Sequence, residues 1–190
     1  MFACAGAELS EMLSTPRLLL RRWCEDDREP FARINADRKV MEFMPALLTR
    51  AESDAMVDRI EAHFGRYGFG PFAVELRSAA EFIGFVGLFV PSFEAHFTPC
   101  VEIGWRLDSR YWGHGFATEA ATAVLEQAFG AWELGEVVSF TVAANLRSRR
   151  VMEKLGMKRD PADDFDHPKL PINHPLRRHV LYRIRRPLTQ

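Results

Sequence analysis

Three short β-type segments follow one another in the middle of the chain, and no helical pattern separates them. Because successive strands joined by short turns pair antiparallel, this succession predicts a β-meander. In the third segment, apolar side chains occupy alternate positions of 101–107. A period of two therefore places Glu102 and Arg106 together on the opposite face of that strand. The three segments are FAVEL (72–76), EFIGFVGLFV (81–90) and PCVEIGWRL (99–107).

Helical and strand patterns alternate on either side of this meander. Because helices must bury an apolar stripe against another layer, this arrangement predicts an α/β (α+β) fold with a mixed sheet covered by helices. The other predicted elements are a strand at 17–23, helices at 25–38 and 50–64, a helix at 116–132, a strand at 136–142, a helix at 145–155, and strands at 157–159 and 179–185.

The 190-residue length fits one domain, and we predict an N-terminal tail at 1–14 and a single domain at 15–190. The net charge of −1 provides no overall field for nucleic acid or an anionic membrane. The longest apolar runs are far shorter than the roughly 20 residues that span a bilayer. Three scattered cysteines and an acidic N-terminus without a leader pattern predict a cytoplasmic protein.

The segment RYWGHGFA (110–117) links the strand at 101–107 to a long helix. Its glycines allow a tight turn whose backbone N–H groups point into one concavity. The helix that follows adds unpaired N–H groups and the positive end of its dipole. This combination is suited to a pyrophosphate, although a glycine turn alone can also be a simple connection.

Two blocks together resemble the GCN5-related N-acetyltransferase (GNAT) superfamily. RYWGHGFA is similar to its R/Q-x-x-G-x-G/A signature, and NLRSRRVMEKLGM (145–157) looks like its N-x-x-S…EKLGF segment. One helix and one strand fit between the blocks, as in the family. With TPRLLLRR near the start, the resemblance covers roughly residues 15–186 and is strongest to the branch of ribosomal-protein N-terminal acetyltransferases.

The resemblance implies a GNAT-like, mostly antiparallel sheet with helices on both faces and with acetyl-CoA as cosubstrate. Strands 99–107 and 136–142 would be its splayed parallel pair. The pantetheine arm would bond to backbone of Trp105 and Leu107, the pyrophosphate would lie on the turn, and Asn145 and Arg149 would contact the arm and the phosphates. The implied cofactor residues are Trp105, Arg106, Leu107, Arg110, Tyr111, Trp112, Gly113, His114, Gly115, Phe116, Ala117, Asn145 and Arg149.

Two side chains are catalytic candidates. Glu102 lies on the strand that resembles the family's active-site strand, and we predict that it is the base that deprotonates an amine. Many relatives use a tyrosine to protonate the leaving thiolate, but the matching position here is Met152. Ser148, which matches a serine of the ribosomal-protein branch, is the candidate acid instead. An ordinary strand carboxylate and a helix-surface serine are the structural alternatives.

The loop at 160–177 is rich in Asp, His and Pro, but its spacing is irregular, so we predict no metal site. We interpret it as a loop that contacts the acceptor. A dinucleotide-binding fold would need Gly or Ala where Thr118 stands, and is discarded. A catalytically silent acyl-CoA sensor or protein-interaction module is the alternative function. The sequence leaves two alternatives for the acceptor, a protein N-terminus and a small amine. It also leaves two for the oligomeric state, a monomer and a homodimer.

Overall fold

The computed structural model of the protein describes residues 12–187. Its helices are α1 (Arg28–Ala36), α2 (Arg50–Tyr67), α3 (Phe116–Phe129) and α4 (Leu146–Lys154). Its strands are β1 (Leu13–Ser14), β2 (Leu18–Arg21), β3 (Pro71–Leu76), β4 (Glu81–Phe89), β5 (Glu102–Leu107), β6 (Glu136–Val142), β7 (Lys158–Arg159), β8 (Phe165–Asp166) and β9 (Arg178–Arg185).

The nine strands within residues 12–187 form one sheet in the order β1-β2-β3-β4-β5-β6-β9-β7, and β8 also pairs with β9. The meander β3-β4-β5 is antiparallel, as predicted, with Val86 opposite Trp105. β5 and β6 are the parallel pair. The mixed, mostly antiparallel sheet expected from the sequence is therefore confirmed.

Helix ends follow local sequence signals. Thr49 and Glu52 form a capping box at the start of α2, in which each side chain accepts a hydrogen bond from the other residue's backbone N–H. Gly68 ends α2 in the left-handed conformation, with φ of 74°. Both signals act within four residues, which explains why the helix at 50–64 was predicted close to its observed bounds.

Helices cover both faces of the sheet. On one face, Phe31 of α1 packs edge-on against Phe85 of β4, and α2 contacts α1. Ile103 and Leu107 of β5 are buried on the opposite face, which α3 covers. The side chains of Glu102 and Arg106 consequently belong to the face that α1 and α2 approach.

The predicted tail and the predicted loop at 160–177 each contain a short strand in the structure. Leu13 and Ser14, assigned to the tail, pair with Leu20 and Leu19 as strand β1; residues 1–11 of that tail lie outside the described residues. The loop at 160–177 contains strand β8, whose Phe165 is buried in a second, smaller core with Phe97, Val138 and Leu181. A two-residue strand is too short to show alternating apolar and polar positions, so the sequence did not predict it. The strand forms because Phe165 packs against aromatic side chains that are distant in the sequence.

No helix within residues 12–187 is both long enough and apolar enough to cross a membrane.

Candidate active site

The parallel pair β5–β6 opens into a V. Val138 N–H donates to the Val101 carbonyl at 2.9 Å, and Glu102 is aligned with Val138. Among the described residues, β5 and β6 have no other aligned pair. Since backbone groups of alternate residues point to the same edge of a strand, those of Trp105 and Leu107 face the gap, like those of Val101. The splayed geometry implied by the resemblance is thus present.

A cleft of about 710 Å³ follows this gap, a size within the usual range for small-molecule sites. One wall is β5 with the glycine turn and the start of α3, and the other is β6 with α4. Of the predicted cofactor residues, those that line the cleft are Trp105, Arg106, Leu107, Tyr111, Trp112, Gly113, Gly115, Phe116, Ala117 and Asn145.

The glycine turn presents the start of α3 to the cleft. Gly113 and Gly115 both have φ of 82°, a conformation that L side chains rarely adopt. Gly115 caps α3 without a side-chain hydrogen bond, and Ala117 and Thr118 of the first turn line the cleft. The first N–H groups of a 14-residue helix have no partner within the helix, so they are available to an anion.

Arg17 supports this turn, a role that the sequence did not indicate. Its Nη1 donates to the His114 carbonyl at 3.0 Å, and its Nε donates to Glu119 of α3 at 2.6 Å. Its guanidinium also lies 4.5 Å from the centre of the Phe116 ring. Because 97 residues separate Arg17 from His114, no local pattern could have revealed the contact.

Three predicted cofactor residues have side chains outside the cleft. The Arg110 guanidinium pairs with Asp108 at 2.8 Å, which holds the pKa of that carboxyl below its usual range. The His114 ring stacks on Phe116. Arg149 donates to Tyr182 Oη at 3.2 Å and to the Ala143 carbonyl. On α4, the cations that line the cleft are instead Arg147, Arg150 and Lys154. The rotation of α4 about its own axis determines which of its cations face the cleft. The sequence alone did not reveal that rotation.

Asn145 and Ser148 lie together at the start of α4. Asn145 Oδ1 accepts a hydrogen bond from Ser148 N–H at 3.2 Å, and its Nδ2 donates to Thr141 Oγ1 at 3.1 Å. Ser148 lines the cleft, and its Oγ makes no hydrogen bond within the described part of the chain. Asn145 therefore caps the helix, and the Ser148 hydroxyl is available to a ligand.

Met152 is buried, with 1% of its surface exposed, and belongs to the main core rather than to the cleft. Position 152 therefore does not share the cleft-facing side of α4 with Ser148. A single helical turn separates them, but the apolar stripe of α4 turns Met152 inward. A tyrosine at this position would need a rearranged core to reach the gap.

Glu102 lies at the apex of the V, where β5 and β6 come together. Its carboxyl makes no hydrogen bond or ion pair with any described residue, and burial raises its pKa to about 8. Gly104 and the Phe89 ring border the carboxyl, since a Cβ at Gly104 would lie 4.0 Å from Glu102 Oε1 and 3.2 Å from the Phe89 ring. A carboxyl with a pKa near neutrality at the closed end of a cleft is suited to accept a proton.

Leu107 and Trp112 close the far end of β5. The Trp112 indole N–H donates to the Leu107 carbonyl at 2.9 Å. Arg147 of α4 lies 4.5 Å from the Trp112 ring and pairs with Glu42 at 2.6 Å. These contacts link the two walls across the mouth of the cleft, and the Leu107 carbonyl already has one donor.

The acidic loop between β7 and β9 is held by arginines. Asp163 pairs with Arg183 at 2.7 Å, and Asp164 pairs with Arg159, which lowers the pKa of both carboxyls. Within residues 12–187 no group of three or more His, Cys, Asp or Glu side chains could hold a metal ion. From this loop, His167 and Lys169 reach the cleft.

Comparison with known proteins identifies consistent relatives. A family model described as an acetyltransferase (GNAT) domain matches residues 17–158. The chain is 31% identical to the uncharacterized N-acetyltransferase YnaD of Bacillus subtilis, over 78% of this chain and 83% of that protein. A GNAT-family acetyltransferase structure from Bacillus anthracis superposes with a TM-score of 0.76 at 25% identity, covering 92% of this chain and 98% of the other.

The ribosomal-protein-S5-alanine acetyltransferase of Vibrio fischeri shares the fold, with a TM-score of 0.71 at 18% identity. That alignment covers 92% of this chain and 96% of the other. The similarity in fold extends over almost the whole of both chains.

Proposed function

Because the chain belongs to the acetyltransferase (GNAT) family, we propose that it transfers an acetyl group from acetyl-CoA directly to a primary amine. The observation that carries this proposal is the position of Glu102, a partly buried carboxyl with a pKa raised to about 8 at the apex of the β5–β6 gap. The acceptor class is a small amine or a protein N-terminus. The protein would act in the cytoplasm, without a metal.

The residues present fit acetyl-CoA. Unpaired N–H groups at the start of α3 can bind the pyrophosphate, and Arg150 and Lys154 add positive charge on the opposite wall. Backbone groups of Trp105 face the gap and can pair with the pantetheine arm as an added strand would. When bound, acetyl-CoA supplies the activated acetyl group as a thioester.

Glu102 accepts a proton from the amine, and Ser148 provides one to the leaving sulfur. The acceptor reaches the cleft as an ammonium, and Glu102 takes a proton from its nitrogen, directly or through water, so that a lone pair can form the new N–C bond. The C–S bond breaks with its electron pair on sulfur. Ser148 Oγ, which has no partner among the described residues, donates a hydrogen bond or a proton there. The nitrogen loses its second proton to solvent as the amide forms, and solvent also reprotonates Ser148 and takes up the proton from Glu102.

The alternative of a silent acyl-CoA sensor is less well supported. A binding protein has no use for a partly buried carboxyl at the apex, because its desolvation raises the pKa of Glu102 and disfavours the charged form. An enzyme that removes protons from amines near neutral pH benefits from that same shift.

Acetyl-CoA should stabilise the protein against unfolding. At 100 times its dissociation constant, the free energy of unfolding should rise by about 2.7 kcal/mol, because the ligand binds the folded state alone. A thermal-shift titration measures this change. S-acetylpantetheine, which lacks the diphosphate and nucleotide, is the control and should bind far more weakly. The absence of any shift with excess acetyl-CoA would contradict the cofactor assignment.

Replacement of Ser148 by alanine should lower kcat about 10- to 100-fold, because the leaving sulfur loses its hydrogen-bond donor. The KM for acetyl-CoA should change little, since the helix cap uses the Ser148 backbone N–H rather than its hydroxyl. Thiol release at saturating acetyl-CoA measures the effect. Ser78→Ala, in an exposed turn, is the matched control. Full activity of Ser148→Ala would leave solvent as the proton source.

A further inference from the structure

Arg106 points into the cleft without a negatively charged partner. Its Nη1 donates to Asn35 Oδ1 at 2.6 Å, and its other polar contacts are the sulfur atoms of Met44 and Met56. No carboxylate of the described residues lies within ion-pair distance of it. Burial lowers its pKa to about 10, so it remains charged at neutral pH.

The guanidinium is fixed in place by a second buried layer. Asn35 is fully buried in α1, and its Nδ2 donates to Ser53 Oγ of α2 at 2.8 Å. Asn35 Oδ1 is thereby turned toward Arg106. A partly buried cation that is held by neutral groups bears a desolvation cost that a bound anion would offset. This arrangement is typical of a binding group rather than of a structural ion pair.

The charged side chains that line the cleft also favour a negatively charged ligand. Glu102 is the single carboxylate among the described lining residues, whereas the lining cations are Arg106, Arg147, Arg150, Lys154 and Lys169. Arg147 already pairs with Glu42, and Lys169 donates to Ser92. Arg106 differs from the α4 cations in position, because its side chain lies on the face of β5 that α1 and α2 approach.

We infer that the amine acceptor carries a carboxylate, and that Arg106 binds this group while Glu102 receives the amine. This inference rests on the proposed acetyl transfer and specifies its substrate class. Glu102 and Arg106 lie on the same face of β5, and Gly104 between them contributes no side chain of its own. The Phe89 ring, 3.2 Å from where a Cβ at Gly104 would lie, borders the space between the two charged groups. An amino acid, or a peptide that carries an acidic group near its N-terminus, has both groups on one molecule.

The walls near Arg106 define the rest of the acceptor. Met44, Met56 and Phe85 line the cleft, and the Phe85 ring centre lies 5.7 Å from the Arg106 guanidinium carbon. Thioether and aromatic side chains pack against apolar groups of varied shape. The acceptor is therefore an amino acid or peptide with an apolar body between, or beside, its charged ends.

Matched pairs of amines test the inference on the unaltered protein. L-phenylalanine is compared with 2-phenylethylamine, and L-methionine with 3-(methylthio)propylamine, in a thiol-release assay with acetyl-CoA. C-terminally amidated peptides with and without Asp at position two distinguish a peptide carboxylate from that of a free amino acid. We expect the carboxylated member of at least one pair to have a kcat/KM about 100-fold higher. If acetyl transfer occurs but kcat/KM is equal within every pair, the inference of a carboxylated acceptor is contradicted and the proposed acetyl transfer is not.

Two variants then locate the carboxylate. Arg106→Gln should lower kcat/KM for the preferred carboxylated acceptor about 100-fold, mainly through KM, and should lower kcat/KM for the uncarboxylated partner far less. Asn35→Asp, which places a resident carboxylate beside the guanidinium, should reduce the same preference without removing Arg106. Arg106→Lys should restore part of it, and Arg33→Gln, on the exposed surface of α1, is the control. An unchanged preference in both Arg106→Gln and Asn35→Asp would contradict the assignment.

The proposed function and this inference fail in different ways. If no amine of either set releases thiol although acetyl-CoA stabilises the protein, the acetyl transfer itself is contradicted. If uncarboxylated amines are acetylated as well as their partners, the transfer stands and the role of Arg106 does not.

Discussion

Replacement of Glu102 by glutamine should lower kcat at pH 7 by about 100- to 10,000-fold, the usual range for loss of a general base. Glutamine has the same shape but cannot accept the proton. The affinity for acetyl-CoA should stay close to normal, because the phosphates are expected about 15 Å or more away along β5, at the turn after Leu107. Steady-state thiol release with the preferred amine measures the loss.

The pH dependence of kcat/KM gives a sharper test of the same side chain. With a pKa of about 8, Glu102 is mostly protonated at pH 7, and only its ionised form can act as a base. The rate should therefore rise about tenfold per pH unit below 8 and level off above it. In Glu102→Gln this rise should disappear, apart from titration of the acceptor, and the deficit should narrow at high pH, where free amine is abundant.

Glu126→Gln provides the control, since Glu126 is an exposed carboxylate on α3 outside the cleft. It should match the unaltered protein in kcat and in pH profile. If Glu102→Gln retained the original profile, Glu102 would have a structural role, and the base would have to be sought elsewhere in the cleft.

Replacement of Gly113 or Gly115 by valine should weaken acetyl-CoA binding about 100-fold or more. Both glycines have φ of 82°, which a β-branched residue avoids, so the turn must rearrange and move its N–H groups away from the pyrophosphate. Losing two charge-assisted hydrogen bonds of about 1.5–3 kcal/mol each accounts for the size of the effect. At Gly115 the new side chain would also approach Arg17 Nη2, which lies 3.6 Å from the Cβ position.

Gly68→Val separates loss of binding from loss of folding. Gly68 has a similar φ of 74° and, like Gly113, no atom within 4 Å of the Cβ position, but it lies at the end of α2 outside the cleft. Its valine variant should lose a comparable free energy of unfolding and keep normal acetyl-CoA affinity. Calorimetric titration of the three variants measures the difference. Normal affinity in both turn variants would contradict the pyrophosphate site.

The sequence predicted the features that depend on interactions between residues close together in the chain. Alternation along 101–107 correctly placed Glu102 and Arg106 on one face of β5, because side-chain direction in a strand depends only on parity. The glycine turn and the helix after it were predicted because backbone conformation and helix capping act within a few residues. These features, together with the second block on α4, were sufficient to identify the family that the family model confirms.

Helical phase and long-range contacts were decided by the tertiary structure. Arg149 was predicted to face the phosphates, yet packing of α4 directs it to Tyr182 and directs Met152 into the core. The support of the glycine turn by Arg17 joins residues 97 positions apart. Such pairs depend on how helices and strands pack, and no local period encodes them.

Arg106 shows most clearly which properties the local sequence determines and which depend on tertiary packing. The sequence determined its face of β5, since a period of two requires nothing beyond the strand itself. Whether its charge was neutralised depended on Asn35, which lies 71 residues earlier and is neutral. The partner of a charged residue depends on which side chains the packed helices bring within about 4 Å of it. That Arg106 has no carboxylate partner among the described residues therefore became evident only in the folded protein.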